Sequence, residues 1–224
     1  MASLLDSLEL RARPSAVVGL DLNGASVAQA IPRACYSGAV VADAREMPLA
    51  RAAFGTVMSV CVLEHISGVT AVLAEVSRAL RPGGLFALSV PTPRLLEVAV
   101  QTHPPDPEGY LRAFNERVEH RTVWDAGEWS SAIEGGGLQV VRIRGFMPPA
   151  AATAWFAAYD WTVRPIRGRG LLYRAAGPGL RRFGLGPALA GYWRRRLEPW
   201  AQTGLEATVD EACALFIVAE KLAD

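Results

Sequence analysis

Two aspartates and two histidines carry the residue types on which chemistry can be built. Asp21 closes the apolar run Ala16–Asp21, with Leu22 beside it, and Asp43 closes the run Ala39–Asp43, with Ala44 beside it. An acid at the end of a buried strand can accept both hydroxyls of a ribose, or it can cap the helix that follows. His65 ends the segment Ser59–His65, which reads Ser-Val-Cys-Val-Leu-Glu-His. An imidazole titrates near neutrality, so His65 is suited to take a proton from a reacting group. The plainer role for Glu64 and His65 is to organise the start of the next helix. His120, within Arg117–Arg121, is a second candidate base, and His103, among prolines, is assigned no role.

These side chains need elements to hold them. Ala16–Asp21, Ala39–Asp43, Thr56–Cys61, Leu85–Val90, Leu138–Ile143 and Cys213–Ala219 read as short buried strands. Ser3–Arg11, with Leu4, Leu5 and Leu8 on one face, and Gly24–Ile31 read as helices. Val69, Val72, Leu73, Val76, Ala79 and Leu80 follow helical spacing, and Arg81-Pro82-Gly83-Gly84 stops that helix. Asp125 and Glu128 form a capping-box pattern before Trp129, Ala132 and Ile133. Strands alternating with helices predict an α/β fold, Rossmann-like, with a mostly parallel sheet and helices on both faces.

Met147–Leu205 interrupts that alternation before the last strand. It predicts a helical insertion of three helices forming a cap over 147–205, with the core domain in 1–146 and 206–224. Within it, Arg164–Arg196 holds nine arginines and no acid, interleaved with Tyr173, Phe183 and Trp193. Such a face suits an anionic acceptor or a peripheral membrane contact, and it equally suits a solvated helix surface.

A net charge of +1 gives no whole-chain preference for nucleic acid, and no nucleic-acid motif is present. The three cysteines are far apart, which predicts a reduced, cytoplasmic chain without structural zinc. There is no signal-peptide pattern and no long apolar run for a spanning helix.

The stretch Val40–Pro91, with Gly19–Leu22 before it, resembles the class I S-adenosylmethionine (SAM) dependent methyltransferases that act on small molecules. The resemblance reaches to about Phe146, with a last strand near Cys213–Lys221. It implies SAM as cofactor, with Asp21 and Leu22 at the ribose and Asp43 and Ala44 at the adenine. The backbone of Ser59 and Val60 would then face the methionine part. It implies that His65 lies near the methyl group, where phosphoethanolamine-type enzymes use a histidine for proton abstraction. His120 would stand on the acceptor side, and no metal is implied. The expected function is methyl transfer to the oxygen or nitrogen of a small-molecule, sugar or lipid-like acceptor. A non-catalytic methyltransferase-like protein is the second reading, and a nicotinamide-binding oxidoreductase using Asp21 is the third.

Two departures accompany the resemblance. Phe54 is followed by Gly55 where similar enzymes carry an aspartate. The glycine-rich loop and first strand that similar enzymes place ahead of Asp21 are missing. The sequence is therefore expected to be the rear part of a longer reading frame or a remnant of one, poor at binding SAM on its own. Two strands are expected to lack their usual neighbours.

Overall fold

The computed structural model describes residues 14–33, 35–103, 105–163 and 205–223, together with 165, 166, 169, 170, 191 and 195. The expected Ser3–Arg11 helix and most of the arginine-rich stretch lie outside the described residues.

The chain opens with β1 (Val18–Asp21), α1 (Gly24–Ala30) and β2 (Gly38–Val41). β3 (Phe54–Val60) leads through a 3-10 turn at Leu63–His65 into α2 (Val69–Ala79), then β4 (Leu80–Pro91). Three helices follow: α3 (Pro93–Thr102), α4 (Pro107–Val118) and α5 (Ala126–Gly135). Then come β5 (Gln139–Phe146), α6 (Pro149–Val163), the short strands β6 (Pro165–Ile166), β7 (Arg169–Gly170) and β8 (Glu206–Ala207), and β9 (Ala214–Glu220).

The main sheet has five strands in the order β3-β4-β9-β5-β8, and β1 and β2 form a separate parallel pair. β3 and β4 are parallel, whereas β9 runs antiparallel to both β4 and β5. Among the described residues, the second edges of β1 and β3 have no ladder partner. Their apolar side chains are correspondingly open, with Val18 38%, Met58 39% and Val60 40% exposed.

One face of the main sheet makes the core. Phe86, Leu88 and Val90 of β4 alternate onto it, as do Leu215, Ile217 and Ala219 of β9. Val69, Val72, Leu73 and Val76 of α2 and Trp129 and Ile133 of α5 cover them, at positions that the helical period puts on one stripe. The capping box at α5 is present, with Asp125 accepting from the Glu128 N–H and Glu128 accepting from the Asp125 N–H. Lys221, the single lysine, donates to the Ser77 and Leu80 carbonyls at the end of α2, where the helix dipole favours a cation.

Two expectations shift in detail. α2 does end before the Arg81–Gly84 stretch, but β4 begins at Leu80 rather than Leu85. Leu80 pairs with Phe54 and Leu85 with Thr56, so Arg81–Gly84 bulge opposite Gly55, with Gly83 at φ +70. The Arg81 guanidinium packs at 3.0 Å from where a Gly55 Cβ would stand.

A second cluster is built from three other helices. Leu95, Val98 and Ala99 of α3, Phe114 of α4, and Ala152 and Phe156 of α6 pack together with Cys213. α3 and α4 are elements that the sequence reading passed over. α3 starts where β4 ends, so this layer sits at the carboxyl edge of the parallel strands, the edge that β3 also enters through its 3-10 turn.

Removing the fully buried Trp129 indole by Trp129→Ala should cost about 3–5 kcal/mol, and losing the cap by Asp125→Ala about 1 kcal/mol. Urea unfolding of the two variants checks this order; equal costs would mean that α5 is not a core helix.

Candidate functional site

The site begins where β3 runs out. Cys61 takes a positive φ of 50, its N–H bonded to the Ser89 carbonyl at 3.0 Å. That sharp departure from the strand sends the chain into the turn Leu63–His65. Leu63 and Glu64 face inward, while the His65 side chain remains 39% exposed.

The Glu64 carbonyl accepts two backbone N–H groups, from Arg121 at 2.6 Å and Thr122 at 3.0 Å. This joins the turn to the segment between α4 and α5. Glu119, also at positive φ (54), caps α4 and reverses the chain, so the next residue, His120, is carried back over the turn. The His65 and His120 rings lie 5.2 Å apart, tilted by 33°. Phe114 of α4 meets His120 edge-on at 5.9 Å, and Trp155 of α6 meets Phe114 at 6.4 Å.

The electrostatics follow from burial. Glu64 Oε1 stands 3.9 Å from His65 Nε2, while Glu64 Oε2 and His120 Nδ1 are buried with no hydrogen-bond partner. Burial pushes the Glu64 carboxyl up, opposed by its own backbone and by His65. Burial, and then the neighbouring His65 charge, lower the His120 imidazole to about 4. At neutral pH His120 is therefore an uncharged imidazole, able to accept as well as donate.

The nucleoside-side candidates are more open. Asp21 Oδ1 accepts from the Asn23 N–H at 2.8 Å, and Asn23, not Asp21, caps α1. Leu22 is 72% exposed. Asp43 accepts from the Arg45 N–H at 2.8 Å and is gripped by the Arg45 guanidinium, with Nη2 at 2.7 Å. The side-chain hydrogen bond from Arg45 holds the Asp43 carboxyl down at about 2. Arg45 Nη1 also reaches the Ser67 carbonyl at 3.4 Å, which ties the Asp43 turn to the loop just beyond His65. Ala44 and Met47 pack on the main core, and Ser59 and Val60 form the last rungs of β3 against Leu88 and Ser89.

The structure thus brings His65 and His120 together and draws Asp43 toward their loop, while Asp21 bonds within its own turn. Sequence reasoning missed three members: Glu64 as a buried carboxylate facing the histidines, Phe114 behind His120, and Arg45 on Asp43. Only the Leu63-Glu64-His65 run hinted at the first. A cleft of about 650 Å³ opens elsewhere, between the starts of α3 and α5, beside Thr92, Arg94, Asp125 and Glu211. It holds none of the candidate residues, so the histidine cluster, with its buried and unpartnered groups, is the better candidate for chemistry.

Comparison with known proteins agrees with the fold. Residues 3–88 match the methyltransferase domain family. No curated protein sequence matches. Among solved structures, the chain is similar to a Haloferax volcanii putative methyltransferase in complex with the Trm112 methyltransferase activator, at TM-score 0.56 and 15% identity, covering 99% of this chain and 76% of that one. It is similar to a putative sarcosine dimethylglycine methyltransferase from Galdieria sulphuraria, at TM-score 0.55 and 13% identity, over 92% of this chain and 70% of that one. A Haemonchus contortus phosphoethanolamine N-methyltransferase in complex with SAM aligns at TM-score 0.56 and 16% identity, over 92% of this chain and 43% of that one.

The Arg45 grip predicts that Asp43 titrates near 2 and that Arg45→Met returns it toward the ordinary 3.8. Carboxyl-carbon NMR titration reads both midpoints. The pair is exposed and adds little to stability, so the variant should fold normally. A midpoint unmoved by the substitution would dissolve the pair.

Proposed function

We propose, for a chain that carries the class I SAM-dependent methyltransferase fold and matches the methyltransferase domain over residues 3–88, that it transfers a methyl group from SAM to a small acceptor. The single observation that carries this reading is the meeting of His65 and His120 at the carboxyl edge of the parallel strands, where ligands of doubly wound sheets bind. Asp21 accepts from the ribose hydroxyls. Asp43 and the Ala44 N–H meet the adenine, and the backbone at Ser59 and Val60 lies along the methionine part.

The reaction is direct displacement. Bound SAM would supply an activated methyl group on its sulfonium, passed to a lone pair of the acceptor with a neutral thioether as the leaving group. Most of the rate comes from holding the two centres in line and away from water. Where the acceptor is a hydroxyl, its proton passes to the histidine pair. His65, the ring open to solvent, can hand it on.

Phe114 meets His120 and packs with Trp155 and Phe156, and this aromatic layer supports an organic acceptor, a small molecule, a sugar or a lipid-like one. The 147–205 insertion supplies α6 to that layer, in keeping with a cap. The arginines of 164–196 favour an anionic acceptor. No helix among the described residues is long and apolar enough to cross a membrane.

Asp43, occupied by Arg45, favours a second reading, a methyltransferase-like binding protein without turnover.

Calorimetry with SAM, its demethylated product and NAD tests the cofactor. SAM and its product should bind more tightly than NAD. Asp21→Ala and Asp43→Ala should each weaken them by about 1.5–3 kcal/mol, the worth of a charged hydrogen bond. Preference for NAD, or affinity unchanged in the double variant, would defeat the assignment.

A further inference from the structure

We infer that Glu64, His65 and His120 form a binding site for a first-row divalent transition-metal ion. One ligand atom from each side chain lies within 4.8 Å of the others. The residues come from two separate elements, and the bonds from Arg121 and Thr122 to the Glu64 carbonyl fix those elements together before any ion arrives.

The independent sign of a ligand is a pair of orphaned buried atoms. The Glu64 side chain is 3% exposed and its Oε2 has no partner; His120 Nδ1 is likewise buried without one. A buried carboxylate oxygen and a buried imidazole nitrogen left unpaired together are costly. A cation held by this cluster would give the carboxylate and the imidazole a partner. His65, at 39% side-chain exposure, closes the outer side and leaves a way in.

Two imidazole nitrogens and one carboxylate oxygen suit zinc, iron, cobalt or nickel better than magnesium or calcium, which prefer all-oxygen sets. Donor atoms on such an ion stand roughly 3–4 Å apart, so a small closure of the three side chains suffices. Three protein ligands leave positions open, on the side that His65 opens to solvent.

Ion binding stands on these three side chains alone. Its catalytic meaning rests on the reading of the cluster as the acceptor end of a methyl-transfer site. With the ion bound, His65 is a ligand and no longer a free base. An acceptor hydroxyl held on the ion then loses its proton to solvent, because the ion lowers its pKa.

The test needs no methyl transfer. The full chain, stripped with chelator, is titrated with cobalt(II) and followed by visible absorption, then with zinc(II) by calorimetry. One ion per chain is expected, with cobalt bands of nitrogen and oxygen ligation. His65→Ala, an exposed position that should not disturb folding, and Glu64→Gln should each weaken binding by more than about tenfold. Cys61→Ser should leave it unchanged, since no thiol takes part. Failure to bind either ion, a thiolate spectrum lost in Cys61→Ser, or full binding by His65→Ala would overturn the site.

Discussion

The Glu64 carbonyl is the joint on which the candidate site depends. It takes two N–H groups, from Arg121 and Thr122, and so fastens the turn after β3 to the segment before α5. His65 and His120 are far apart in sequence and meet only because of this joint. The joint in turn requires Cys61 and Glu119 to hold positive φ, a conformation that costs non-glycine residues energy and is kept only where surrounding structure over-determines it. Glu64 itself goes down into the core, which is why its carboxyl is pushed up and one of its oxygens has no partner. Strain, burial and an unsatisfied charge at one turn are poor choices for stability and good ones for a site.

A second set of ties places the Asp43 turn relative to the histidine pair. Among the described residues, β1 and β2 share no ladder with the main sheet. The Met47 N–H donates to Glu75 of α2, and Arg78 of α2 donates to the Met47 and Leu49 carbonyls. Arg78 and Glu75 also pair with each other at 2.7 Å, so neither group is left uncompensated. These bonds to α2, with Arg45 on Ser67, moor the segment that carries Asp43.

The alternation of strands and helices was legible because burial on both sides forces continuous apolar runs, and because Asp125, Glu128 and Gly83 act through local backbone chemistry. The period of α2 was equally plain, since Val69, Val72, Leu73 and Val76 all face one core. α3 and α4 escaped notice. Pro93 and Pro107 sit at their first turns, where proline is tolerated, yet in sequence they read as breaks. In the site, His65 and His120 were legible as residue types, and their meeting was not. It depends on a carbonyl, and a backbone acceptor leaves no mark in the sequence. Arg45 on Asp43 was missed because a neighbour two residues along can face either way until the turn geometry is known.

We propose that one ligand spans the acids at the ends of β1 and β2 and ends at the histidine pair. A crystal structure of the chain with the demethylated SAM product tests it most directly. Ribose is expected on Asp21, adenine beside Asp43 and Ala44, and the sulfur turned toward His65 and His120. The product bound instead in the cleft beside Thr92, Arg94 and Glu211, with the histidine pair empty, would contradict it.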